Sequence, residues 1–81
     1  MKKRYFIWTH DRERNLLDDI NNMELVNLIV EQTKIINGVI IEIDDADRIS
    51  HARKYCREHG LMMLRDRDQY LQDENSLRDY T

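Results

Sequence analysis

Two adjacent aspartates, Asp44 and Asp45, follow directly on the apolar run VIIEI (39–43), with Asp47 and Arg48 behind them. Paired carboxylates at the end of a buried segment can hold a hard cation such as Mg²⁺ or Mn²⁺ through oxygen ligands. A cation so held can orient and polarise a phosphoryl group. Groups of related chemistry follow two other apolar segments: His10 and Asp11 after RYFIWT, and Arg65, Asp66, Arg67 and Asp68 after LMML. Three parallel strands ending side by side would gather them on one rim, outside the strand carboxyl ends where open parallel sheets bind ligands. On that arrangement Asp11, Asp44 and Asp45 would be the metal ligands of a phosphoryl-transfer or hydrolytic site, with His10 or Arg65 assisting. The structural alternative is simpler. Asp44 suits the N-cap of a following helix, Asp45 and Asp47 suit its first turn, and Arg65–Asp68 alternates in sign as a solvated run does. No glycine-rich phosphate cradle follows any strand, so capping is the preferred reading and no cofactor is expected.

The other chemically able side chains lie on the segment DADRISHARKYCREH (45–59). His51, Tyr55 and His59 are spaced four apart, which separates the two imidazoles by about 12 Å along a helix, too far to share one metal ion. Cys56 falls on that segment's apolar stripe with Ala46, Ile49 and Ala52, as a small core residue would; a nucleophilic role would need a base within reach. Arg48, Arg53, Lys54 and Arg57 form the best nucleic-acid candidate, joined by Lys2, Lys3 and Arg4, although aromatic interleaving is thin and Glu58 and the acids at 42–47 dilute the field.

The elements that must position these groups can be read from periodicity and punctuation. RYFIWTH (4–10) is aromatic and β-branched, as a first strand is. DRERNLLDDI (11–20) carries Leu16, Leu17 and Ile20 at helical spacing. MELVNLIVEQTKII (23–36) reads as a helix apolar on more than half its circumference, with Asn21 and Glu24 as a capping box. VIIEI reads as a strand covered on both faces, 45–59 as the clearest helix, and LMML (61–64) as a third strand. Gly38 and Gly60 each stand where a helix gives way to a strand. Asn37-Gly38 between apolar residues is also a strong hairpin signal, but the helical pattern of 23–34 favours a helix end there. The expected architecture is thus a single-domain α/β fold, β-α-β-α-β with a three-stranded, mainly parallel sheet flanked by helices. Residues 1–66 form the compact domain, and 67–81 a polar segment with a short helix over 67–76 and a loosely held end.

Eighty-one residues make one domain near the lower limit for a self-sufficient core. One cysteine excludes a disulfide framework, and with no leader-like start it points to a reducing, cytoplasmic setting. No apolar run approaches a membrane span. The net charge of −3 is unevenly spread: +3 over 1–14, −6 over 15–48, +3 over 49–67 and −3 over 68–81. An acidic balance argues against general nucleic-acid binding. The apolar surplus of 23–36 suggests a second buried face, through a homo-oligomer for example, and Trp8 could serve as core or interface anchor.

In layout and charge, and in no motif, the expected domain resembles barstar-type ribonuclease inhibitors. That resemblance implies a domain that works by presenting carboxylates to a basic site. The leading expectation is a small acidic non-enzymatic regulator or inhibitor, of the kind phages and mobile elements encode, docking a protein partner with a basic surface through Asp44, Asp45 and Asp47, joined by Asp18 and Asp19. Metal-assisted phosphoryl chemistry and nucleic-acid binding by the 45–59 face are the alternatives.

Overall fold

The computed structural model describes residues 3–33 and 36–65. Four strands and two helices follow one another as β1 (Lys3–Thr9), α1 (Leu16–Asn22), β2 (Ile29–Thr33), β3 (Asn37–Ile43), α2 (Ala46–Glu58) and β4 (Met62–Leu64), with a short 3₁₀ turn at Val26–Leu28 before β2. The strands form one sheet in the order β2-β3-β1-β4. Every pairing is antiparallel: Lys3 opposes Ile43 and Thr9 opposes Asn37, Phe6 opposes Leu64, and Ile29 opposes Ile41. This is the strand order of two interlocked split β-α-β units, the ferredoxin-like topology.

The three-stranded, mainly parallel sheet expected from sequence is therefore overturned. The error has one source. The described residues of 23–36 hold a 3₁₀ turn and β2 rather than a helix, so the domain gains an extra strand paired antiparallel with β3, and β3 runs opposite to β1. The reason lies at Glu24. Helix α1 ends when Glu24 enters the left-handed region at φ 60°, and the Leu25 N–H donates to the Ile20 carbonyl at 2.9 Å while the Glu24 N–H donates to Asn21 at 3.0 Å. That is the Schellman closure that usually employs glycine. Beyond it, Ile29, Val30 and Thr33 supply the β-branched side chains a strand accommodates. A homo-oligomer contact through a helix over 23–36 loses its basis with that helix. The barstar-like layout falls with the parallel sheet. The segment 67–81 lies outside the described residues.

Helix α2 closes in the same way. Gly60 takes φ +69°, and the Leu61 N–H donates to the Cys56 carbonyl at 2.8 Å. In both closures the next residue, Leu25 or Leu61, is a buried leucine.

Period-two alternation assigns the two faces of the sheet. Tyr5 and Ile7 of β1 and Val39, Ile41 and Ile43 of β3 pack against Leu16 and Ile20 of α1, Ala52 and Cys56 of α2, and Met23, Leu25 and Leu61. Both helices thus lie on one face. Full burial of an aliphatic side chain contributes roughly 1.5–3 kcal/mol, so this cluster is the main source of cohesion. Phe6, Trp8 and Ile40 make a second cluster on the opposite face. The unbroken run VIIEI follows from burial on both faces, which strand direction does not affect.

Candidate functional site

The densest polar constellation ties the two helices together. Arg14, just before α1, sets a fork on Asp19, its Nε 2.8 Å from Oδ2 and an Nη 2.8 Å from Oδ1. The Tyr55 hydroxyl of α2 donates to Asp19 Oδ1 at 2.7 Å and accepts from Asn22 Nδ2 at 3.2 Å. The His59 ring stacks on Tyr55 with centroids 3.9 Å apart, and its Nδ1 lies 2.9 Å from the Tyr55 carbonyl oxygen. Asp19 is only 5 % exposed. The Arg14 fork holds its carboxyl below the usual carboxylate range; burial opposes this, and the Tyr55 hydroxyl reinforces it. Bidentate, charge-assisted bonding of this kind fixes geometry as well as charge. Asp19 is therefore committed to an internal clasp, whereas Asp18 beside it is exposed.

The acidic rim divides. Asp44, Asp45 and Asp47 are all exposed at the corner between β3 and α2. Asp45, rather than Asp44, is the N-cap, its side chain accepting from the Asp47 N–H at 2.9 Å. Asp11 follows β1, and because β1 and β3 run in opposite directions it lies at the far end of the sheet, a strand length of about 20 Å away. There it shapes its own loop, Oδ1 accepting from the Glu13 N–H at 3.0 Å, while Asn37 Nδ2 donates to the Asp11 and Arg14 carbonyls. Asp11, Asp44 and Asp45 do not converge. Among the described residues no group of three His, Cys, Asp or Glu side chains is placed to hold a metal ion.

The basic candidates separate as well. At 100° per residue, Arg48 is about 140° from Arg53 and 180° from Arg57 around α2. Arg53 and Arg57 turn toward β4, where they border a shallow groove of about 240 Å³ floored by Cys56, Leu61, Met62 and Met63. The Arg53 guanidinium stands 5.6 Å above the Tyr5 ring, a cation–π distance. Met62 is half exposed in β4, which is an edge strand of the described sheet. Arg48 and Lys54 are exposed elsewhere on the helix. Cys56 is buried at the groove floor, and desolvation pushes its thiol up to about 11. It is protonated at neutral pH and a poor nucleophile.

Two features escaped the sequence reading. The Asp19–Tyr55 bond joins residues 36 apart, for which no local pattern exists. The groove arises only once β4 is placed beside β1, although Arg53 and Arg57 at i, i+4 were a partial signal.

The described residues define a small α/β domain with a four-stranded antiparallel sheet and two helices on one face. No family model, curated protein or solved structure matches the chain. Among the described residues no helix is long and apolar enough to cross a membrane.

Proposed function

We propose that this chain is a small non-enzymatic binding module for a protein partner, and that it engages an extended acidic segment of that partner in the groove between α2 and β4. The observation that carries this reading is the conjunction of an edge strand, an apolar floor and two guanidinium groups on one rim. An edge strand offers main-chain donors and acceptors for strand addition, and flanking pockets select alternate side chains. Arg53 and Arg57 would receive carboxylates, and Met62 and Met63 the intervening apolar side chains, methionine being adaptable to varied shapes.

Selection from a displayed random-peptide library tests it. Peptides alternating Asp or Glu with aliphatic residues should be enriched, and Arg53→Glu with Arg57→Glu should weaken their binding by more than tenfold. Enrichment of basic peptides, or binding indifferent to the double reversal, would overturn the groove as the docking surface.

The exposed corner at Asp44, Asp45 and Asp47 favours a second reading, a partner with a basic surface steered by these carboxylates. Its backbone is fixed by the α2 cap, so the charges are displayed on a rigid support. Asp44→Ala with Asp45→Ala should then slow association with the partner and weaken its salt dependence. An unchanged on-rate would remove the corner from the interface.

A further inference from the structure

The cations beside β4 are set at a definite pitch. Arg53 and Arg57 are both exposed and lie four residues apart on α2, which places them about 6 Å apart along the helix axis. β1 pairs antiparallel with both β3 and β4, so β4 runs the same way as β3, and α2, joining the end of one to the start of the other, runs back alongside. A strand repeats its side chains on one face about every 6.4–6.8 Å, neighbouring residues pointing to opposite faces. Residues two apart in an extended segment along β4 therefore match the arginine pitch, whereas residues four apart are separated by about 13 Å.

The side chains of β4 alternate too. Met63 packs with the core on the helix face, and Leu64 packs with Phe6 and Trp8 on the other. Met62 opposes Trp8, so by the same alternation it turns to that second face, where it is 49 % exposed. Arg53 is steadied by its own neighbour: its guanidinium stands 5.6 Å above the Tyr5 ring, and Tyr5 is itself buried. A stacked guanidinium keeps its planar fork oriented for a carboxylate.

Resting on the acidic-segment reading above, the geometry points to a three-residue recognition pattern, acid–apolar–acid. The two carboxylates face Arg53 and Arg57, and the middle side chain turns to the opposite face and covers Met62. The groove thus selects for spacing as well as for negative charge.

Fluorescence anisotropy with synthetic threonine-rich peptides tests the pattern, each peptide carrying two aspartates separated by zero, one, two or three residues. The peptide with one intervening leucine should bind several-fold tighter than the others. Equal affinity at every spacing would overturn the pattern and leave acidic docking standing; failure of every acidic peptide to bind would remove the docking reading and the pattern with it. Charge exchange at these exposed sites gives the second arm. Arg53→Glu should be rescued by lysine in place of one aspartate only, and Arg57→Glu by lysine in place of the other. Rescue of both variants by either lysine peptide would mean undirected attraction and would overturn the proposal. Met62→Thr, also at an exposed site, should abolish the preference for leucine over serine at the middle position, and a preference that persists would overturn the placement of that side chain.

Discussion

The Tyr55 hydroxyl donates to Asp19 Oδ1 at 2.7 Å and thereby joins the middle of α1 to the last turns of α2. The two helices share one sheet face but arise from separate crossovers, so this bond links them directly, while the Arg14 fork, local to the start of α1, holds the accepting carboxylate in place. Tyr55→Phe keeps the stack on His59 and removes the donor to a largely buried carboxylate. A hydrogen bond to a charged group contributes about 1.5–3 kcal/mol, and urea unfolding should register a loss near the lower end of that range.

The same carboxylate makes stability depend on acid. Folding holds Asp19 ionised to a lower pH than the unfolded chain does, and an unfolded aspartate titrates near about 3.9. The unfolded state therefore takes up the proton first as pH falls. Stability from this group is complete above that value and is lost as pH drops further, through the depressed folded value. Asp19→Asn should be less stable at neutral pH and should show a shallower loss between pH 4 and 2, measured by thermal unfolding across that window.

The two helix ends set up opposite expectations for glycine. Glu24 and Gly60 occupy equivalent positions, both at positive φ and each followed by a buried leucine. A side chain in the left-handed region costs roughly 1–2 kcal/mol. Glu24→Gly should stabilise the domain by about 1 kcal/mol, and Gly60→Ala should destabilise it by a similar amount, although no atom lies within 4 Å of the added methyl. If both variants are neutral in chemical denaturation, left-handed strain is not what these positions carry.

This pair also explains how far the sequence reached. At Gly60 the residue type announced the turn, and both α2 and β4 fall where periodicity placed them. At Glu24 the identical geometry is made by a residue with no such signal; Asn21 and Glu24 read instead as the capping box of a second helix over 23–36, so the sheet lost a strand and its direction was misjudged. At Asn37-Gly38 the preferred reading, a helix end, is overturned: the hairpin alternative matches the antiparallel β2–β3 pair, with both residues belonging to β3 rather than to the turn. The acidic corner could be placed because it is local: three carboxylates within four residues remain neighbours in any fold. The convergence of Asp11 with Asp44 depended on strand direction and failed with it. Asp19 had been grouped with exposed Asp18 by adjacency, whereas only the helix packing reveals its commitment to Arg14 and Tyr55.

Cys56 should behave as an interior thiol. Its raised value of about 11 comes chiefly from desolvation, and reactivity follows the thiolate. Modification by a disulfide reagent at pH 8 should be slow in the native protein and fast in urea. Rapid native labelling would mean that the groove floor opens readily, and the apolar base assigned to the peptide groove would then need revision.

Gly38 gives the sharpest test of how the two sheet faces are built. A Cβ there would stand 2.8 Å from Phe6 Cε2 and 3.0 Å from both Phe6 Cζ and Thr33 Cγ2. Glycine is needed at this site for space, since the ring of Phe6 closes directly over the β3 backbone. Phe6 is nearly fully buried and stacked on Trp8, so its ring cannot swing aside without disturbing that stack. Overpacking of this kind costs about 1–3 kcal/mol. Gly38→Ala should lower stability by that amount and perturb Trp8 emission, while leaving the Arg14–Asp19–Tyr55 clasp on the other face intact, as the acid limb of the stability curve would report. If the emission does not move, the ring has room that the close approach denies, and the packing around Phe6 is looser than described.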